Sequence, residues 1–362
     1  MNSSIDNVST ITNTVSGFVI NQTTGVLSAM PGSPFSTAGL GNTGFFARNN
    51  ITLSRSRNLL FASNSGDNNI AVFSIDPVTG GLTVVAGSPF PNSTGATMSG
   101  AGSAVVNQSG TLLFVGNRLT FNISVFSIAA NGVLTGVIGS PFSAIHSNGV
   151  ATFSGRMDGL RLNDRGNILY GAASSAVLGV AAFSIAANGA LTPLQGSPFT
   201  GAVRGPTSFD LDAASGIAIG AGTGGKLTSY NIAVGGALTA IAQTSTASNQ
   251  FIVNQPGGQQ CGEFSPDGSK YITSGGGTAK IAVVNVGATG QLSDAPGSSF
   301  TTIHPATGYS AIHPNGLWVY ATEKSATANF VEFFNMAANG VLTSQQIILA
   351  GARGSHNGVV IY

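Results

Sequence analysis

A short phrase recurs seven times along this chain: a small residue, a glycine, a variable residue, a leucine, then threonine or serine. Its leucines are Leu27, Leu82, Leu134, Leu191, Leu238, Leu292 and Leu342, at spacings between 47 and 57 residues. Self-similarity at a period of about 50 residues is the mark of a propeller or a solenoid, because one such unit cannot bury its apolar face alone. What surrounds each leucine decides between the two.

Ahead of the leucine runs an alternating segment, as at residues 70–75, 123–128, 181–185, 281–286 and 330–336. A tight turn follows, such as Ala130-Asn131-Gly132 or Ala187-Asn188-Gly189, where Asn-Gly supplies the positive φ of a hairpin. The next segment ends in Gly-Ser-Pro-Phe, beginning at Gly32, Gly87, Gly139 and Gly196, with Gly297-Ser298-Ser299-Phe300 as a variant. Proline cannot donate to a ladder, so this segment suits an outermost strand. Upstream of each pair lies another pair joined by a polar turn, for example 103–107 and 112–117 around Gln108-Ser109-Gly110. Four strands in meander order with no helical period predict the blade of a β-propeller.

The fold expected is all-β: a seven-bladed β-propeller of four-stranded antiparallel blades forming a single domain. Residues 358–362 form a spare alternating segment, expected to be the C-terminal strand that joins the N-terminal blade and closes the ring. The blades are placed at 1–35 with 358–362, then 44–90, 100–142, 156–199, 205–245, 259–300 and 308–350.

Composition narrows the function classes. Hydrophobic residues make up 42% of the chain and charged residues 7%, the reverse of a disordered sequence. The net charge is +1 and no run of Lys or Arg exists, so nucleic acid is not an expected partner. No apolar run reaches the length of a membrane span. The first ten residues lack the features of a signal peptide, yet the scarcity of charge and wealth of Ser, Thr and Asn suit an exported protein. The expected location is extracellular or periplasmic, with an export signal removed, and the cytoplasm is the alternative. A single cysteine, Cys261, excludes an internal disulfide and reads as a small buried residue.

The chain resembles the lactonase-like seven-bladed propellers, the family of 6-phosphogluconolactonase-type and YVTN repeat proteins. The resemblance rests on Ser265-Pro266-Asp267-Gly268-Ser269-Lys270-Tyr271, on His313-Pro314-Asn315-Gly316-Leu317-Trp318-Val319-Tyr320, and on the Phe-Ser-Ile strands that follow Val72, Val125 and Ala182. It implies His, Arg and Glu side chains gathered near a central channel. Glu323 stands where such proteins often carry an Asn-Glu pair. Gly205-Pro206 resembles the family's Gly-Pro, although Thr207 and Ser208 follow it in place of Arg-His, and Arg156-Met157-Asp158-Gly159 replaces a His-rich segment.

In a propeller, the blade-to-blade connections and the turns between the two middle strands share one mouth of the channel. Arg48, His146, Arg156, Arg204, His304, Arg353 and His356 fall in the connections, and Arg118, Lys226, Glu323 and Lys324 in the turns. His304 as general base, Arg204 on the developing oxyanion and Glu323 orienting water would suit lactone hydrolysis. Arg48, Arg118, His146, Arg156, Arg353 and His356 are the candidate ligands of a small carbonyl-bearing or anionic substrate, or of a glycan. The bland alternative is that loops simply carry the polar residues. His146, His304 and His356 lack the local spacing of a metal motif, and no cofactor or metal is expected. The competing functions are a non-enzymatic exported propeller that binds a protein, glycan or cell-surface partner, and a self-assembling surface protein.

Overall fold

The computed structural model describes residues 2–4, 12–41, 50–92, 100–149, 152–153, 155–157, 159–172, 178–204, 206–222, 225–243, 251–252, 258–276, 279–324, 328–352, 355–356 and 358–362. The chain is an all-β propeller. Its one described helical element is a single 3-10 turn at Arg55–Arg57, and no helix is long and apolar enough to cross a membrane. Seven sheets have four or more strands among the described residues, numbered here 1 to 7 in chain order.

Sheet 3 shows the plan. Ala101–Val106, Leu112–Asn117, Asn122–Ile128 and Leu134–Gly136 pair in order, every pair antiparallel. The second and third strands are almost wholly buried, because each sheet is covered on both faces by its neighbours. Period-two alternation of polar and apolar residues is therefore weak there, as expected of strands buried on both faces.

The outermost strand does not stop at the proline as its sequence suggests. It breaks at the Gly-Ser-Pro kink, and a second short segment returns to the same third strand. Phe142–Ser143 pairs with Asn122 and Ile123, and Phe300–Thr301 pairs with Lys280 and Ile281. The ladder is bridged across the kink by the serine. Ser88, Ser140 and Ser197 each accept, at 2.8 Å, the backbone N–H of Val72, Val125 and Ala182. Here the repeated serine satisfies a donor that the interrupted strand would have left unpaired.

Among the described residues, seven apolar clusters lie between successive sheets. One joins Phe114 and Val125 of sheet 3 to Leu169 and Phe183 of sheet 4. Another joins Trp318, Tyr320 and Phe333 of sheet 7 to Leu27 of the N-terminal hairpin Phe18–Ile20/Leu27–Ala29. Each fully buried Phe or Tyr in these layers contributes about 1.5–3 kcal/mol of apolar burial. The glycine of each outer hairpin makes the close approach possible. A Cβ on Gly236 (φ 84°) would lie 2.2 Å from Ile168 Cδ1, and one on Gly25 (φ 77°) 2.4 Å from Phe333 Cζ.

Polar staples tie the innermost strands together. The Leu160 N–H donates to Ser103 Oγ at 2.9 Å, joining sheets 3 and 4. Arg161 Nε donates to Asp210 Oδ1 at 2.7 Å, and the Phe264 N–H donates to Asp210 Oδ2 at 2.9 Å, joining sheets 4, 5 and 6. Glu263 accepts the Ile312 N–H, joining sheets 6 and 7.

The chain ends meet differently from the sequence expectation. Residues 358–362 carry no strand. The C-terminal strand is Ser355–His356, which pairs antiparallel with Asn2–Ser4 at Ser3↔His356 and Ser4↔Ser355. The alternation of residues 358–362 reflects packing instead, with Val359 and Ile361 against the cluster of sheet 7 and Val360 against that of sheet 2.

Candidate functional site

The polar constellation with the most distinctive chemistry lies where the connection from sheet 6 to sheet 7 crosses the second and third strands of sheet 7. Glu323 is on Trp318–Lys324 and Glu332 on Ala328–Met336, and both are fully buried. The register pairs Glu323 with Phe330 and Ala321 with Glu332, so the two carboxyl groups share one face of the sheet on a diagonal. The same diagonal in sheet 3 holds an amide and a hydroxyl, Asn117 and Ser124, hydrogen-bonded at 2.8 Å. Sheet 7 has replaced that neutral pair with two acids.

The connection delivers backbone donors to both. The Ile303 N–H reaches Glu332 Oε2 at 3.0 Å and the His304 N–H reaches Glu323 Oε2 at 3.1 Å. Ser344 Oγ donates to Glu332 Oε1. His304 Nδ1 lies 3.3 Å from the same Glu323 Oε2, and its ring stacks on Phe330 with centroids 4.4 Å apart and planes 4° from parallel.

Burial, and then the neighbouring Glu332, push the Glu323 carboxyl up to about 9. Two carboxylates in one dry site cannot both ionise, so the pair holds one proton near neutral pH. Glu323 Oε2 already faces two nitrogens. Oε1 is buried with no donor pointed at it, so the proton resides there and is shared towards Glu332. Oε2 accepts the Nδ1–H of His304, which leaves Nε2 as the ring nitrogen not engaged by the acid pair. The His304 side chain is 28% exposed, so this nitrogen is presented at the surface of a buried acid pair.

The other residues expected at the site are placed as follows. His146 is engaged within the fold on both nitrogens: Nε2 meets Ser197 Oγ at 2.7 Å and Nδ1 meets the Ala144 carbonyl at 2.9 Å. Burial holds it below the usual histidine range. Since Ser197 Oγ also accepts the Ala182 N–H, its hydroxyl proton is free for His146 Nε2, and Nδ1 carries the ring proton. Arg118 is buried with its backbone N–H on the Gly100 carbonyl, whereas Arg156 is exposed. Arg204 ends the strand Phe199–Arg204 opposite Leu178, and His356 lies in the strand paired with Asn2–Ser4. Arg48 and Arg353 lie outside the described residues. The pair that the structure brings together is thus His304 with Glu323. Glu332 escaped the sequence reading, although an acid inside Phe330-Val331-Glu332-Phe333-Phe334, in a chain with 12 acidic residues, was a usable signal. Among the described residues no three His, Cys, Asp or Glu side chains cluster as metal ligands would.

The molecule is therefore a β-propeller with a buried acid pair backing a histidine on a blade connection. The lactonase, seven-bladed β-propeller family model matches residues 7–141. In fold the whole chain is similar to a protein from Lactobacillus plantarum, with 16% identity, coverage of 99% of this chain and 98% of that one, and a TM-score of 0.72. It is similar also to the periplasmic gluconolactonase of Pseudomonas aeruginosa, with 15% identity, coverage of 98% and 96%, and a TM-score of 0.69. A Bacteroides uniformis protein provisionally assigned as a 6-phosphogluconolactonase aligns at 17% identity, 97% and 96% coverage and a TM-score of 0.73. No curated protein matches in sequence. Over residues 7–141 the chain is thus similar to the lactonase family, and over its whole length it has the fold of a β-propeller.

Proposed function

We propose that the chain is a lactonase-type hydrolase that opens a small lactone at the sheet 6–sheet 7 connection, with His304 as general base. The observation that carries this reading is His304, held by Nδ1 3.3 Å from Glu323 Oε2 of the buried acid pair with its side chain 28% exposed. Nε2 takes a proton from a water molecule as its oxygen attacks the lactone carbonyl. Glu323 fixes the tautomer and stabilises the imidazolium that forms, and the proton returns to the departing ring oxygen. Arg204, Arg48, Arg118, Arg156, Arg353 and His356 remain candidate substrate contacts, Arg204 for the developing oxyanion, while His146, held on both ring nitrogens, serves the fold.

The frame proposed for this site is one closed ring of seven blades, one per sheet. Supporting it are the shared core of sheet 7 and the N-terminal hairpin, Gly25 seated on Phe333, and the pairing of Ser3 with His356. The first blade then takes Ser355–His356 as its inner strand. The remaining blades keep the sequence extents from 44–90 to 308–350. Periplasmic placement draws support from the Pseudomonas aeruginosa neighbour.

A panel of aldonolactones, neutral and phosphorylated, assayed by acid release with the purified chain and with His304→Gln tests the reading. Hydrolysis of at least one lactone should fall by about 10²–10⁴-fold in the variant, the usual worth of a general base. Hydrolysis unaffected by the substitution, or none by either protein, overturns it. A second reading, a propeller that binds a protein partner, is favoured by Val78, Ile138 and Val234, which are 91%, 94% and 95% exposed.

A further inference from the structure

Residues paired directly across an antiparallel ladder point to one face of the sheet, so each face is built of rows. In sheet 7, Glu323, Phe330 and Leu349 form one such row, through the pairs Glu323↔Phe330 and Phe330↔Leu349. The next row on the same face is Ala321, Glu332 and Ile347. His304 lies over the middle of the first row, its ring stacked on Phe330 with centroids 4.4 Å apart. Ile303 reaches the second, with its N–H on Glu332 Oε2 at 3.0 Å. The inner ends of both rows are fully buried, whereas Leu349 is 60% and Ile303 59% exposed. Phe330 and Ile347 are half-buried.

The internal repeat shows how far this row departs from its counterparts. In sheet 2 the row is Asn64, Asn69 and Pro91, and in sheet 3 it is Asn117, Asn122 and Ser143. Each middle asparagine there accepts a 2.7 Å hydrogen bond from its inner neighbour. Sheet 7 puts Phe330 in place of that asparagine and Leu349 at the outer end, on a strand, Leu342–Ala352, that lacks the Gly-Ser-Pro kink. The polar groups beside His304 are meanwhile committed within the protein. Ser344 Oγ donates to Glu332, Thr302 Oγ1 donates to the His304 carbonyl, and the N–H groups of Ile303 and His304 are taken by the two acids. A polyhydroxylated ring needs several convergent polar groups to fix it. Among the described residues, the exposed surface next to the imidazole comes from Ile303 and Leu349, with Phe330 under the ring.

We infer that the lactone opened at His304 carries an alkyl substituent, and that Phe330, Leu349 and Ile303 form the apolar shelf on which this chain lies. The preferred substrates are then alkyl-substituted lactones rather than aldonolactones, an inference that rests on the hydrolase reading above. The lactone ring sits at His304, where water adds across its ester C–O bond and gives a hydroxyalkanoic acid. The alkyl chain follows the row outward from Phe330 to Leu349. Its contacts are remote from the reacting atoms, and the binding energy they supply is expressed in kcat/KM.

A rate series with the purified chain tests this. It compares γ-butyrolactone, its γ-methyl, γ-propyl and γ-pentyl derivatives, and glucono-δ-lactone, each followed by acid release with the uncatalysed rate subtracted. From the methyl derivative onward, kcat/KM should rise about two- to fourfold per methylene, full burial of one methylene being worth about fourfold. The pentyl derivative should exceed gluconolactone by at least about tenfold. In Leu349→Asn the gain per methylene should largely vanish, and in Leu349→Met, which keeps an apolar side chain at this exposed position, it should persist. His304→Gln should lower every rate in the series. A flat series, a preference for gluconolactone, or a Leu349→Asn series as steep as that of the unsubstituted chain overturns the inference. Where those rates still fall in His304→Gln, the hydrolase reading stands without it, and the apolar face belongs to a partner protein instead. No hydrolysis of any member overturns the hydrolase reading itself and the inference with it.

Discussion

His304 Nδ1 lies 3.3 Å from Glu323 Oε2, and the backbone N–H of the same histidine reaches the same oxygen at 3.1 Å. One carboxyl oxygen thus fixes both the ring and the backbone of a residue 19 positions away in sequence. That double hold places the histidine on the connection, where Thr302 Oγ1 also donates to the His304 carbonyl at 2.6 Å. It also makes the protonation of Glu323 a matter of stability.

Glu323 ionises with difficulty in the folded chain, at about 9 against an ordinary value of 4.5. The folded state therefore keeps a proton that the unfolded chain releases between those values. Stability is fully present below about pH 4.5, falls as pH rises and has lost this contribution by pH 9. Glu323→Gln keeps the shape and removes the ionisation. Its midpoint of thermal unfolding should vary less between pH 5 and 9 than that of the wild type, with the variant gaining on it most at the alkaline end. Parallel profiles for the two proteins would place the proton elsewhere.

Asp210 carries more than its ion pair with Arg161. Its second oxygen accepts the Phe264 N–H, and the residue is 5% exposed, so replacement leaves a guanidinium and a backbone donor unsatisfied on the innermost strands. Asp210→Ala should cost about 2–4 kcal/mol, because stranding a buried donor costs more than the bond itself contributes. Urea unfolding should show a lower midpoint. A change below about 0.5 kcal/mol, as for an ordinary surface pair, would mean that the staples do not hold neighbouring sheets.

Two tyrosines repeat one bond. Tyr170 Oη donates to the Gly236 carbonyl and Tyr320 Oη to the Gly25 carbonyl, both at 2.8 Å, each tying a second strand to the outer hairpin of the next sheet. Burial pushes both phenols up to about 12, so neither ionises under ordinary conditions. Tyr170→Phe and Tyr320→Phe should each cost about 1 kcal/mol, and the double variant about the sum, since the sites share no partners. Chemical denaturation of the three variants measures it.

How much of this was legible beforehand follows from the range of each signal. The Gly-x-Leu phrase and Asn-Gly turns are local, and they reported the outer hairpins, including Gly132 and Gly189 at φ 85° and 86°. His304 and Glu323 were visible as polar residues in loops of one class, because the repeat assigns loops to a face. Glu332 was not, since its neighbour across the sheet depends on the register Ala321↔Glu332. The hairpin joining these strands spans seven residues from Glu323 to Phe330, against five from Asn64 to Asn69 in sheet 2. Arg161, Asp210 and Glu263 were missed for a related reason. They staple different sheets, and only the packing of one blade on the next brings them together. The C-terminal strand was misplaced to residues 358–362 because alternation alone cannot tell a laddered strand from an extended segment pressed between two apolar clusters.

The proposed seven-blade ring has a direct test in its glycines. Gly149, at φ 85°, has nothing within 4 Å of a built Cβ, so Gly149→Ala carries only backbone strain, about 1–2 kcal/mol. Gly236→Ala adds a contact 2.2 Å from Ile168 Cδ1, between sheets 5 and 4, and should cost more than Gly149→Ala by about 1–3 kcal/mol of overpacking. Gly25→Ala places its Cβ 2.4 Å from Phe333 Cζ and 2.8 Å from Trp318 Cδ2, at the junction of the first and last sheets. In a closed ring that junction is as tight as any other, so Gly25→Ala should match Gly236→Ala and also alter Trp318 emission in the folded state. If Gly25→Ala costs no more than Gly149→Ala, the first and last sheets are not packed in solution and the ring is open at that point.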